Sequence, residues 1–175
     1  MQPDLQRLFD LIEQQSQSLL NRIDSLNTDQ LHHQPPGKWS LSQVFAHLIT
    51  SEQLSVQYLK KKIQAIDEQP DTGIIEELKI LTLIISQRLP FKFKAPKVVV
   101  DHTPTFNDAA EIAKAWNQTR AELKDLLGRF ANNQLKRKIY KHPVAGKLNI
   151  VQATRFLSEH IIHHTPQIKR LLKQN

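Results

Sequence analysis

Apolar residues recur at helical spacing through most of the chain, and short stretches carrying proline, glycine or asparagine separate the segments in which they do so. Leu5, Leu8, Phe9, Ile12, Leu19, Ile23 and Leu26 lie on one side of a predicted helix from Asp4 to Leu26, whose outer side is rich in Gln, Ser and Asp. Asn27 ends it, and Thr28 to Leu31 has room for one short turn. Two prolines and a glycine between His32 and Lys38 forbid a continuing helix. Ser40 opens the next one, which runs to about Ile66. Ser40 and Gln43 have the spacing of a capping box, in which each side chain takes a free backbone N–H of the first turn. Leu41, Val44, Phe45, Leu48, Leu59 and Ile63 mark its buried side, with His47 on the flank. Trp39, just before the cap, is expected to pack under the loop, its indole N–H on an acceptor.

After a break over Gln69 to Gly73, Ile75, Leu78, Leu81, Ile85 and Leu89 are in register for a helix from Ile74 to Arg88. Pro90 to Pro104 is the longest irregular stretch. Val98 to Val100 looks strand-like within it, and no second strand is evident. Lys92, Lys94, Lys97, Asp101 and His102 would suit either a polar mouth over a pocket or a surface excursion. Phe106 to Phe130 predicts a helix capped by Thr105 or Asn107, with Ile112, Trp116, Leu123 and Leu127 in its core. Ala131 to Leu148 is a connector. Asn149 and Gln152 repeat the capping-box spacing and open the last helix, to about Lys173.

That last helix carries the candidate chemistry. Its apolar stripe runs through Ile150, Ala153, Leu157, Ile161, Ile168, Leu171 and Leu172, and His160 and His164 fall on the stripe four residues apart. Two imidazoles aimed into a core need partners. A metal ion is one; hydrogen bonds within the core are the other. His47 is the best third ligand, because the apolar face of its helix must meet the last helix. His163 could instead pair with His160, but the stripe favours His164. Three nitrogens would leave positions open for water or substrate, as catalytic metal sites do. Pro166 cannot donate to the Ile162 carbonyl, so a kink is expected near the histidines.

Composition narrows the rest. The 175 residues suit one domain, with no run long enough for a membrane span. The first residues lack the signal-peptide pattern, so a cytoplasmic location is expected. The absence of Cys excludes disulfides, thiolate ligands and a cysteine nucleophile, and leaves only N and O ligands for any metal. The net charge of +7 permits an anionic partner, but the basic residues are scattered and no aromatics interleave with them, which argues against nucleic acid. His32 and His33, in an exposed loop, read as solvated. There is no Gly-rich phosphate loop, no HExxH signature and no Ser-His-Asp set.

Three motifs carry a resemblance. Gly37-Lys38-Trp39-Ser40-Leu41 leading to His47-Leu48-Ile49, the Pro143 to Leu148 approach, and Leu157 to Ile168 (LSEHIIHHTPQI) look like the DinB superfamily, over about Leu5 to Leu172. The resemblance implies an all-α four-helix bundle, up-down-down-up with a long crossover connection. It implies a divalent metal, usually nickel or zinc, on His47, His160 and His164, and homodimers packed through helices. Some relatives of this kind are metal-dependent transferases or isomerases that use bacillithiol or mycothiol. A thiol S-transferase or a hydrolase is therefore expected, acting on a small-molecule thiol and an electrophile. A non-catalytic metal- or ligand-binding bundle linked to stress is the alternative. His163, Glu159, Trp39, His142 and His102 are the further residues expected to line the pocket or stand behind the ligands.

Overall fold

Helix starts are where local sequence has most control, and the computed structural model, which describes residues 1–88 and 97–174, bears this out. In chain order it contains helices α1 (Pro3–Leu20), α2 (Thr28–His32), α3 (Leu41–Lys62), α4 (Ile74–Arg88), α5 (Lys97–His102) and α6 (Ala109–Gly128), strands β1 (Tyr140–His142) and β2 (Gly146–Leu148), and helix α7 (Ile150–Leu172). The Ser40 box forms as its spacing predicts: Gln43 N donates to Ser40 Oγ at 3.2 Å and Ser40 N to Gln43 Oε1 at 2.9 Å. The Asn149 box forms likewise, with Gln152 N 2.8 Å from Asn149 Oδ1. These two caps set the first turns of the helices that carry the three histidines.

Other expectations need correction. The first helix ends at Leu20 rather than Leu26; turns follow, and Ile23 stays buried. Neither Thr105 nor Asn107 caps α6. Asp108 does, accepting from Glu111 N at 2.8 Å, and a carboxylate there also meets the positive end of the helix. Val98 to Val100 are helical, within α5, because Val99 is buried where α5 packs on α3; tertiary burial overrides valine's preference for strands. The Ala131 to Leu148 connector contains an antiparallel hairpin, with Tyr140 opposite Leu148 and His142 opposite Gly146. Gly146 takes a φ of +76°, a conformation open to glycine at little cost. Among the described residues the chain is mostly helical with one small two-stranded sheet, consistent with an all-α fold. Leu89, Pro90, Lys92, Lys94 and Pro96 lie outside the described residues.

The face of α4 is also reversed. Ile80, Leu83 and Ile84 are buried, whereas Ile75, Leu78, Leu81 and Ile85 are more than 45% exposed. The segment is apolar on two sides, so spacing alone supports either; packing on α7 and the hairpin chooses. Arg88, at its end, forks onto Glu159 of α7 with contacts of 2.7 and 3.0 Å and holds the two helices together.

The core lies among the long helices. α7 packs against α1, α3 and α4, and α6 packs against α1 and α3. Trp116 and Phe45 meet edge to face at its centre, 5.7 Å between ring centroids. Beside them a buried polar group ties α3 to α6: Glu52 takes the Trp116 indole N–H at 3.1 Å and pairs with Arg120 at 2.6 Å. Pro166 does not end α7, which continues helical to Leu172. No helix among the described residues is long and apolar enough to cross a membrane.

Candidate metal centre

His160 and His164 stand one turn apart on α7 and face α3, which presents His47. The Nε2 atoms of His47 and His160 are 3.2 Å apart. The rings of His164 and each of the other two have centroids 4.9 Å apart. One nitrogen from each ring lies within 4.8 Å of the others, so the three could hold a metal ion. Nitrogens about 2.1 Å from a tetrahedral zinc are roughly 3.4 Å from one another, so the donor set fits such an ion with small side-chain movements.

The surroundings prepare the rings for that role. His164 Nδ1 is 3.0 Å from Gln167 Oε1. A carboxamide oxygen only accepts, so Nδ1 carries the proton and Nε2 turns its lone pair to the centre. Burial pulls the His47 pKa down to about 4, with the neighbouring His163 adding to the effect. Burial brings His164 to about 4 as well, against the opposing hydrogen bond to Gln167. It drives His160 well below its ordinary value, helped by His164 and His47. At neutral pH all three are uncharged, the state in which imidazole ligates a metal.

The centre opens on a cavity of about 520 Å³. Leu54, Leu83, Val99 and Val144 give it apolar walls. Trp39 lies 5.1 Å from the His47 ring, and Phe156 stacks on His160 at 5.7 Å with 13° between planes. Ser55 and Tyr140, hydrogen-bonded at 2.9 Å, line it with Tyr58, Lys61 and Lys141.

Of the other residues singled out in the sequence, Trp39, His142 and His163 line this cavity. His163 donates Nδ1–H to the Gln87 carbonyl at 2.6 Å, which turns that nitrogen away from the three-histidine cluster. Glu159 faces Arg88 instead, and His102, His32 and His33 are not among the lining residues, although Val99 of the same helix as His102 is. Phe156, Tyr58 and Tyr140 line the cavity too, beyond the residues expected there. Phe156 was findable, since it precedes His160 by one helical turn; Tyr140 depends on a hairpin that no sequence pattern announced.

The family model described as DinB superfamily matches residues 11–168. Among curated proteins and among solved structures, nothing matches the chain.

Proposed function

The chain belongs to the DinB superfamily, and from that premise we propose that it is a cytoplasmic, nickel- or zinc-dependent enzyme that transfers a low-molecular-weight thiol to an electrophile. The observation that carries the reading is three neutral histidines converging at one edge of a cavity large enough for a small organic molecule. Contacts of α1 with α7, α7 with α3, α3 with α6 and α6 with α1 close a ring, which supports a four-helix up-down-down-up bundle with the α4–α5 segment as its long crossover.

His47, His160 and His164 would hold the ion. Such an ion supplies Lewis acidity, lowering the pKa of a thiol or water at its open positions. The chain's own residues do the rest. Gln167 fixes the His164 tautomer. Trp39 and Phe156 wall the histidines against bulk water. In the transfer itself the thiol loses its proton, an S–C bond forms, and the electrophile's leaving group departs with the electrons of its bond.

The test is turnover. Zinc- and nickel-loaded protein is incubated with bacillithiol, mycothiol or cysteine and monochlorobimane, and the fluorescent thioether is followed as chloride leaves. Thioether formation above the spontaneous rate, lost after chelation, is the expected result. Full metal occupancy without turnover for any thiol would overturn the transferase reading and leave a non-catalytic metal-binding bundle.

We further propose that a second copy of the chain covers the exposed stripe of α4, Ile74, Leu78, Leu81 and Ile85. The homodimer that the resemblance implies needs an apolar helical face of this kind. Sedimentation velocity should give a dimer for the native chain and a monomer for Leu81→Lys, with zinc binding retained. A monomeric native chain would exclude this interface.

A further inference from the structure

Next to the three-histidine cluster stands a fourth imidazole whose proton is placed by the backbone. In the hairpin turn, Val144 N and Ala145 N both point at His142 Nδ1, at 3.1 and 3.0 Å. An N–H donates only to a nitrogen with a free lone pair, so Nδ1 is unprotonated. Burial holds the His142 pKa near 4, and the ring is neutral at ordinary pH. Its one proton therefore sits on Nε2.

The ring is also fixed in place. It is 7% exposed and packs edge-on against Phe156, with centroids 4.4 Å apart, and Phe156 in turn stacks on His160. No residue among those described takes the Nε2–H, and His142 is part of the cavity lining. A nitrogen that keeps its proton is a poor metal ligand and a good hydrogen-bond donor. His142 thus differs in kind from His164, whose Nδ1 contact with Gln167 leaves the Nε2 lone pair free.

The charged residues that line the cavity with this donor are basic. Lys61 and Lys141 line the cavity, and no carboxylate does among the described residues. Tyr58, Tyr140 and Lys141 also border an adjoining hollow of about 140 Å³, where Lys62 and Lys147 stand beside Lys138, which is itself paired with Glu76 at 3.0 Å. Such a mouth favours negative charge in what enters it. The walls between mouth and histidines are apolar.

We propose that the cavity takes an organic anion with an apolar body, and that His142 is the binding residue that reads an oxygen of that anion through a fixed Nε2–H donor. The proposal rests on the reading of the cavity as a substrate site, and it names the class of substrate. Charge and donor act together: the lysines select an acid, and the Nε2–H sets where its oxygen lies relative to the three histidines.

Two measurements test it, each with the zinc-loaded and the chelator-treated protein. Long-range ¹H–¹⁵N correlation spectra at neutral pH read the tautomer directly. The expected pattern for His142 is protonated Nε2 and unprotonated Nδ1 in both forms. A proton on Nδ1, or a His142 resonance that shifts as a zinc ligand, overturns the proposal. Calorimetric titration then compares 4-phenylbutyrate with 4-phenylbutanol, which has the same body and no charge. The acid should bind more tightly, and His142→Asn should weaken it about tenfold while leaving the alcohol unchanged, the scale of one hydrogen bond to a charged group. Asn is chosen because its Oδ1 accepts the two turn amides but its side chain is too short to reach the cavity. Equal binding of acid and alcohol, or an equal loss for both, overturns the proposal. Because spectra and titration are also run without metal, a native chain that fails to bind zinc would end the metal-enzyme reading while leaving the His142 result to stand or fall by itself. If His142→Asn does not fold, the tautomer of the native chain and its acid-to-alcohol ratio still decide.

Discussion

His160→Ala is expected to bind zinc more than about a hundredfold more weakly than the native chain, since about a hundredfold is already the upper range for losing only an outer-shell partner. His160 contacts both other members of the trio, its Nε2 3.2 Å from His47 Nε2 and its ring 4.9 Å from that of His164. His163→Ala, one turn along the same helix, should keep its zinc, because His163 is turned to the Gln87 carbonyl. Competition against a chromophoric chelator measures both. A His160→Ala chain with native zinc affinity would end the assignment. The same histidines set an acid limit on the metal-free fold. His47, His142 and His164 have folded pKa values lowered from 6.5 to about 4. The native state therefore binds fewer protons than the unfolded one between those values. Their contribution is whole above about pH 6.5 and is lost as pH falls towards 4, by roughly 2 kcal/mol per histidine at pH 5. Urea unfolding of the metal-free chain at neutral pH and at about pH 5 reads that loss; a flat profile would show that the rings are not held neutral.

Glu52→Leu is expected to lose about 3–5 kcal/mol of stability, or roughly 10 °C in Tm, because it strands the buried Arg120 guanidinium. The pair lies on the far side of α3 from the cavity, five residues on from His47. Burial pushes the Glu52 carboxyl up and the Arg120 guanidinium down, and each holds the other's charge against that push. The pair is not fully satisfied: Glu52 Oε1, Arg120 Nε and Arg120 Nη1 make no hydrogen bond among the described residues. Glu52→Leu with Arg120→Met should therefore recover most of the loss, since the double variant removes both desolvated charges and leaves the Trp116 N–H without its acceptor and Glu13 without the neighbouring cation. Thermal unfolding of the two singles and the double decides it. A double variant no better than the sum of the singles would mean that the pair is not coupled through its charge.

The sequence by itself determined what depends on neighbours a few residues away. Capping at Ser40 and Asn149 is such a property, because side chain and backbone donor lie within one turn. So is the shared face of His160 and His164, which the helical period dictates. Even His47 was legible as a third partner, since two amphipathic helices must bury their faces somewhere. Tertiary structure alone decided the properties that need a neighbour from far along the chain. Two sides of α4 are apolar, and the packing of α7 chose Ile80, Leu83 and Ile84 over Ile75, Leu78 and Leu81. Val99 is helical because α3 buries it. Glu159 sits beside a histidine in sequence, yet Arg88 turns it away from the centre. The proton on His142 is the clearest case. Composition and spacing describe an imidazole able to donate or accept at either nitrogen, and only the turn that brings Val144 N and Ala145 N onto Nδ1 makes Nε2 the donor.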